Sequence, residues 1–354
     1  MKVLLYFFCL LMPLTAYAQR DSSQVAVTVD AFADGYFVYS PKRTEKEILY
    51  PFLYNYNRNR SLKINHTWIK LTVQSARVRA NLALQAGTYV QDNYASEPDW
   101  AKPLLEANLG LAINKYKTLW LDVGIIPSHI GFEGAGTLTN YTLTRSLIAE
   151  NSPYYLNGAK LTWAPSPKWE LALLGFNGWQ RIYESGRILP AGGWQIKHQQ
   201  RRSSINWSTF VGAVQVESST MIRFFNNVYY QVKLTSDFSL IADVDFGVQK
   251  VSNIKNWWGA ALLARYAINE KFSAACRAEY YTDKHGLVIG SPDFTTYSFS
   301  VNADYNPIHS MKIRAEFRRF VGQQSLTISK PDASTASYFS LSVLAQVNVY
   351  KSDK

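Results

Sequence analysis

From residue 25 to residue 350 the chain alternates apolar and polar positions with a period of two, in segments of about ten residues separated by turn-forming residues. Val78, Ala80, Leu82, Leu84 and Ala86 alternate with Arg77, Arg79, Asn81 and Gln85; Leu105, Ala107, Leu109, Leu111 and Ile113 alternate with a set containing Glu106 and Asn108. Leu240, Ala242, Val244, Phe246 and Val248 enclose Asp243 and Asp245, and Leu341, Val343, Ala345, Val347 and Val349 repeat the pattern near the end. Such a period places successive side chains on opposite faces of a β-strand. Counting segments from 25–40 and 62–73 through 104–114, 119–125, 155–164 and 169–177 to 339–350 predicts about sixteen strands.

The connections alternate in length. Turns near residues 75, 116, 166, 200, 236, 270 and 308 are short, whereas those near 50, 97, 140, 186, 217, 253, 289 and 327 are mostly longer. An even strand count with both termini on the short-turn side is the layout of a bacterial outer-membrane barrel. Five outward residues occupy about ten positions, roughly 33 Å of strand, which a tilt near 40° turns into an apolar band of about 25 Å. The expected fold is therefore all-β, a transmembrane antiparallel up-and-down β-barrel. A soluble sandwich or propeller shares the alternation, but its strands are commonly about five to six residues long.

Charge sorts to the other face. Arg77, Arg79, Glu106, Asp243, Asp245, Arg277, Glu279, Arg314, Glu316 and Arg318 all fall on inward positions and are expected to line the lumen. A close-packed soluble core cannot hold so many ionised groups unpaired, but a barrel of about 16 strands leaves room for water. Aromatic residues at strand ends, Trp120, Trp163, Trp169 and Tyr266 beside short turns and Tyr89, Trp179 and Trp257 beside long loops, predict two interfacial girdles.

The start of the chain is different. Lys2, an apolar run over residues 3–14 and Ala16-Tyr17-Ala18 fit a secretory signal over residues 1–18, exported through the Sec pathway, with residues 19–354 as one barrel domain. Beyond Cys9, inside the signal, only Cys276 remains, so no intramolecular disulfide forms in the mature chain. No apolar run of 18 residues follows Leu14, which excludes helical spans.

Several separated words carry a resemblance: Ile130-Gly131-Phe132-Glu133, Thr144-Arg145-Ser146-Leu147, Ser152-Pro153-Tyr154-Tyr155 with Gly158, Lys168-Trp169-Glu170-Leu171 and Asn177-Gly178-Trp179. In this order the stretch resembles the OmpL-like β-barrel porins of Gram-negative outer membranes, most strongly over residues 104–180. The resemblance implies an outer-membrane channel and names no substrate.

Enzymatic signatures are missing. The five histidines lie in unrelated places, and His129 beside Ser128 lacks a nucleophile motif such as G-x-S-x-G. No catalytic residue, metal site or cofactor is expected. The formal charge of +11 comes partly from loops and turns (Lys42, Arg43, Lys46, Arg201, Arg202), where screening blunts it, so the channel is expected to prefer anions only weakly. Expected partners are outer-membrane lipid and lipopolysaccharide, small hydrophilic solutes and a second copy of the chain, with no nucleic acid. A saccharide- or anion-specific channel, with Tyr154, Tyr155 and Trp179 stacking on sugars, and a barrel-anchored enzyme or adhesin stay open as alternatives.

The long loop over residues 127–152 carries Leu138, Tyr141, Leu143, Leu147 and Ile148 and needs something to pack on. It is expected to fold into the barrel, with Thr139 capping a short helix that aligns Leu143 with Leu147 and with Glu133, Arg145 and Glu150 forming the pore constriction. An external lid or an oligomer contact uses the same apolar residues.

Overall fold

The computed structural model describes residues 25–41, 48–183, 189–216, 219–322 and 334–352. The segment read as a signal, and Lys42, Arg43 and Lys46, lie outside them. Sixteen strands follow one another around a closed barrel: β1 (Ala26–Tyr39), β2 (Leu62–Gln74), β3 (Val78–Ala86), β4 (Leu104–Ala112), β5 (Leu119–Pro127), β6 (Tyr155–Ser166), β7 (Trp169–Asn177) and β8 (Pro190–Gln199), then β9 (Ser203–Val216), β10 (Ser219–Lys233), β11 (Phe238–Lys250), β12 (Ile254–Ala267), β13 (Phe272–His285), β14 (Pro292–Ile308), β15 (Met311–Gly322) and β16 (Thr335–Lys351). Each pairs antiparallel with its sequence neighbours, and β1 closes on β16 from Thr28 opposite Lys351 to Tyr39 opposite Phe339. Closure leaves no unpaired edge, the condition for crossing a bilayer with strands.

Side-chain chemistry explains the short turns. Asn114 Oδ1 accepts from the backbone N–H groups of Thr118 (3.0 Å) and Leu119 (3.2 Å), and Asn269 Oδ1 accepts from those of Lys271 and Phe272, both at 2.9 Å. Such local bonds mimic a backbone turn and fix the register of the hairpin. At the other end the connections are less uniform than the sequence suggests. Only residues 217–218 separate β9 from β10 and only 251–253 separate β11 from β12, because these strands run further than their apolar cores do.

The outer face is a belt of exposed apolar side chains, including Leu82, Leu109, Val244, Leu262, Val301 and Val347. Trp163, Trp169 and Tyr266 sit on it near the short turns, as expected. The second girdle differs in membership. Tyr89 and Trp257 are buried inside the barrel, and Trp179 packs there on Phe210 with ring centres 4.9 Å apart; of the set expected beside the short turns, Trp120 lies inward beneath Arg79. The external band at the long-loop end is instead Trp258, Tyr280 and Tyr297, with successive ring centres 4.7 and 4.9 Å apart. Parity decides this, since Trp257 and Trp258 are consecutive and must face opposite ways.

Among the described residues, two long connections turn into the barrel and narrow it. Residues 127–154 cross the interior, burying Leu143, Leu147 and Ile148. Residues 48–57 enter from the long-loop end, where Phe52 packs on Phe294 (ring centres 4.9 Å) and Tyr50 on Phe320 (5.5 Å). A short helix, α1 (Thr88–Asn93), follows β3 through Gly87, whose φ of 128° and close approach to Asn65, 2.3 Å from where a Cβ would stand, admit only glycine.

Candidate functional site

The wall formed by β13, β14 and β15 holds the inward loop by its backbone. Arg314 donates to the carbonyls of Thr137 (2.6 Å), Asn140 (3.0 Å) and Tyr141 (3.2 Å) while Asp304 accepts from its Nε (2.8 Å) and Nη2 (3.0 Å). Arg277 donates to the Thr144 carbonyl (2.6 Å) and to Glu316 (3.0 Å), and Arg318 to the Arg145 carbonyl (2.9 Å) and to Glu279 (2.5 Å). The carboxylates complete the arrangement, with Glu316 accepting from the Thr144 N–H (2.5 Å) and Glu279 from the Leu147 N–H (2.6 Å). Arg277, Glu279, Arg314, Glu316 and Arg318 therefore face inward as the alternation requires, but the loop covers them and they do not line open space. Buried charges persist here because each is paired and hydrogen-bonded.

Arg79, Glu106, Asp243 and Asp245 face inward on the remaining walls. Arg79 grips Asp122 (2.7 and 2.5 Å), Lys70 reaches Glu106 (2.8 Å), and Asp243 and Asp245 both accept from the Asn227 amide at 2.7 Å. Arg77 departs from its expected place. It precedes β3, in the turn after Ser75, and is exposed at the barrel end. The alternating pattern extends one residue past the last strand pairing there.

The loop carries its own short helix, α2 (Leu147–Glu150), but Thr139 does not cap it. Ser146 does, accepting from the Ala149 N–H (3.3 Å), while Glu133 accepts from the Ser146 N–H (2.9 Å) and hydroxyl. The stretch 137–144 stays irregular because the wall, not a helix, satisfies its backbone.

Arg145, Tyr154 and Glu150 meet near the middle. The Arg145 guanidinium lies 3.7 Å from the Tyr154 ring centre, and the Tyr154 hydroxyl donates to Glu150 at 3.0 Å. Glu150 also accepts from the Tyr54 N–H (2.8 Å) and the Asn55 amide (3.2 Å), so the second inward loop closes on the first. Burial pushes the Glu150 carboxyl up and Arg145 pulls it back down. On one side of this contact lies a cavity of about 560 Å³, reaching toward the short turns and lined by His66, Trp68, Lys70, Glu106, Glu133 and Arg145 among others. On the other is one of about 450 Å³, facing the long loops and lined by Asp92, Glu150, Trp179 and Arg223 among others. The two share no lining residue.

Other candidate chemistry is absorbed into structure. His129 Nε2 donates to the Thr209 carbonyl (2.8 Å), and Ser128 Oγ accepts from the Ile130 N–H (3.2 Å). Tyr155 stacks on Tyr94, ring centres 4.3 Å apart, and donates to Glu97 (2.9 Å). The contribution of residues 48–57 escapes the sequence reading, although Leu49, Tyr50, Phe52, Leu53, Tyr54 and Tyr56 give that segment more apolar surface than an external loop needs.

Similar proteins place this geometry. The family described as "Putative beta-barrel porin-2, OmpL-like" matches residues 26–347. No curated protein sequence matches the chain. Among solved structures, the outer membrane channel DcaP of Acinetobacter baumannii superposes with a TM-score of 0.61 at 11% identity over 91% of this chain and 97% of that one. OmpT of Vibrio cholerae, in its trimer form, gives 0.64 at 9% identity over 92% and 100%. An anion-selective porin from Comamonas acidovorans gives 0.63 at 9% identity over 92% and 100%.

Proposed function

Because this chain belongs to the OmpL-like beta-barrel porin-2 family, and is thus an outer-membrane porin, we propose that it passes small hydrophilic solutes passively through a constriction formed by Arg145, Tyr154 and Glu150, with Glu133 beside it. The observation that carries this reading is the pair of cavities, about 560 and 450 Å³, on opposite sides of the Arg145–Tyr154–Glu150 contact. Arg145 and Glu133 line the same cavity, and a base and an acid facing one space set a field across it, which favours polar over apolar solutes.

Weak anion preference belongs to the same reading. The wall arginines are neutralised by Asp304, Glu279 and Glu316, which leaves Arg145 on one cavity and Arg223, hydrogen-bonded to Gln249 and the Leu287 carbonyl, on the other as bases acting on a passing ion. Chemistry on a substrate is not part of this role, since the histidine and serine of the loop are committed to backbone contacts. The outer belt contacts membrane lipid, with lipopolysaccharide at the long-loop end. A shallow outward groove over β16, β1, β2 and β3, floored by Ala31, Ala33, Ala86 and Ala345, lets a second copy approach closely. Recording from purified protein in planar bilayers tests the central claim: discrete conductance steps with a reversal potential slightly on the anion side are expected, and an intact barrel that never conducts would refute it.

A further inference from the structure

The arginines inside this barrel are treated unequally. Arg277, Arg314 and Arg318 each have a carboxylate and at least one backbone carbonyl as acceptors, and the one donor among them without a hydrogen bond, Arg277 Nε, still lies 3.2 Å from a Glu279 oxygen. Arg145 is as buried as they are, at 3% exposure, yet its Nε and Nη1 have no acceptor. Glu150 is held at the hydroxyl edge of Tyr154 by bonds from Tyr54, Asn55 and Tyr154 and makes no hydrogen bond to the guanidinium. A buried guanidinium with unused donors is costly unless something else supplies an acceptor. Arg145 lines the cavity of about 560 Å³.

That cavity also offers the opposite chemistry. Glu133 lines it and is 6% exposed; one carboxylate oxygen holds Ser146, while Oε1 has no donor. His66 lines it too. Its Nε2 bonds the Gln85 oxygen at 3.0 Å and so carries the proton, which leaves Nδ1 as a second acceptor with no partner. One cavity thus holds a cationic donor in want of an anion and an anionic acceptor in want of a donor.

We propose that this cavity is a binding site for amino-acid zwitterions, the carboxylate on Arg145 and the ammonium on Glu133, with His66 Nδ1 accepting a further hydrogen. The proposal rests on the channel reading above and narrows its solute class. Occupation satisfies both buried charges without joining them to each other, and release restores the field between them.

The test is calorimetric titration of the full mature barrel, folded and heat-modifiable in detergent, with free serine, acetate and ethylammonium, alongside single-channel recording on the same preparation. Serine is expected to bind saturably, with acetate and ethylammonium each weaker, and Arg145→Gln and Glu133→Gln each weakening serine by about tenfold or more, the worth of one charge-assisted hydrogen bond. Glu133→Gln keeps an acceptor for Ser146, so it preserves the loop. No saturable serine binding to a folded, conducting barrel overturns this inference and leaves the channel standing. Acetate binding as tightly as serine, or two folded variants that bind serine like the parent, also overturns it. Serine binding as described by a barrel that does not conduct keeps the site and removes the passive channel.

Discussion

The guanidinium of Arg145 rests on the ring of Tyr154, 3.7 Å from its centre, and the same tyrosine holds the carboxylate of Glu150 by its hydroxyl at 3.0 Å, so one side chain joins the loop's base to its acid. An aromatic face attracts a cation without neutralising it. The two charges act on each other through space, yet they face different cavities.

Reversing the base should therefore reverse the preference. Arg145→Glu is expected to move the reversal potential in a salt gradient toward cations, and Tyr154→Ala to raise single-channel conductance by joining the two cavities. Unchanged values for both variants in a folded barrel would remove these residues from the conduction path.

Deleting residues 137–149 is expected to raise conductance severalfold, since that segment crosses the interior. It also uncovers Arg277, Arg314 and Arg318, whose carboxylate partners remain but whose carbonyl acceptors leave with the loop. Anion preference should strengthen in the deletion, measured by the same salt gradient.

Asp304→Ala removes the carboxylate that holds Arg314 at 2.8 and 3.0 Å. Breaking a buried pair from one side costs about 3–5 kcal/mol. The temperature at which the barrel loses its heat-modifiable folded band should fall clearly below that of the parent, and current noise should grow as the loop loosens.

His129 gives a pH signature. Burial lowers its pKa from 6.5 to about 4, and its Nδ1 is without a partner. Between those values the unfolded chain takes up a proton that the folded one refuses, so this histidine's contribution is fully present above pH 6.5 and is lost as pH falls toward 4. The loss amounts to about 3 kcal/mol. Thermal unfolding of His129→Gln should show a shallower acid decline than the parent across that window, and identical slopes would assign the decline elsewhere.

Strands were the most legible part of the chain, because a membrane outside and a polar interior write the same period-two code on every one. The inward loop could also be read, from Leu143, Leu147 and Ile148, since apolar residues in a long connection need a surface to cover. Period alone does not say what covers an inward charge. Arg277, Arg314 and Arg318 look like lumen groups in sequence, and only the path of residues 137–147 shows that they are sockets for a backbone. The cap was misplaced at Thr139 for the same reason: hydrogen bonds that a helix would have supplied came from the wall. Trp179 and Trp257 were assigned by nearness to a loop, whereas the face they occupy depends on strand parity and on neighbours such as Phe210 and Phe225.

The wall fastens the loop largely through peptide groups: the carbonyls of Thr137, Leu138, Asn140, Tyr141, Thr144 and Arg145 and the amides of Leu143, Thr144 and Leu147. Peptide groups are common to every residue but proline, which lacks only the amide hydrogen. Apart from the Thr142 and Thr144 hydroxyls and the buried Leu143, Leu147 and Ile148, the path of this segment depends little on its own letters, and side chains aimed away from the wall are free to change without moving the main chain. The barrel behaves as a mould into which differently worded inserts fit, so that a new solute preference is reachable by rewriting a handful of positions in one loop while all sixteen strands stay as they are.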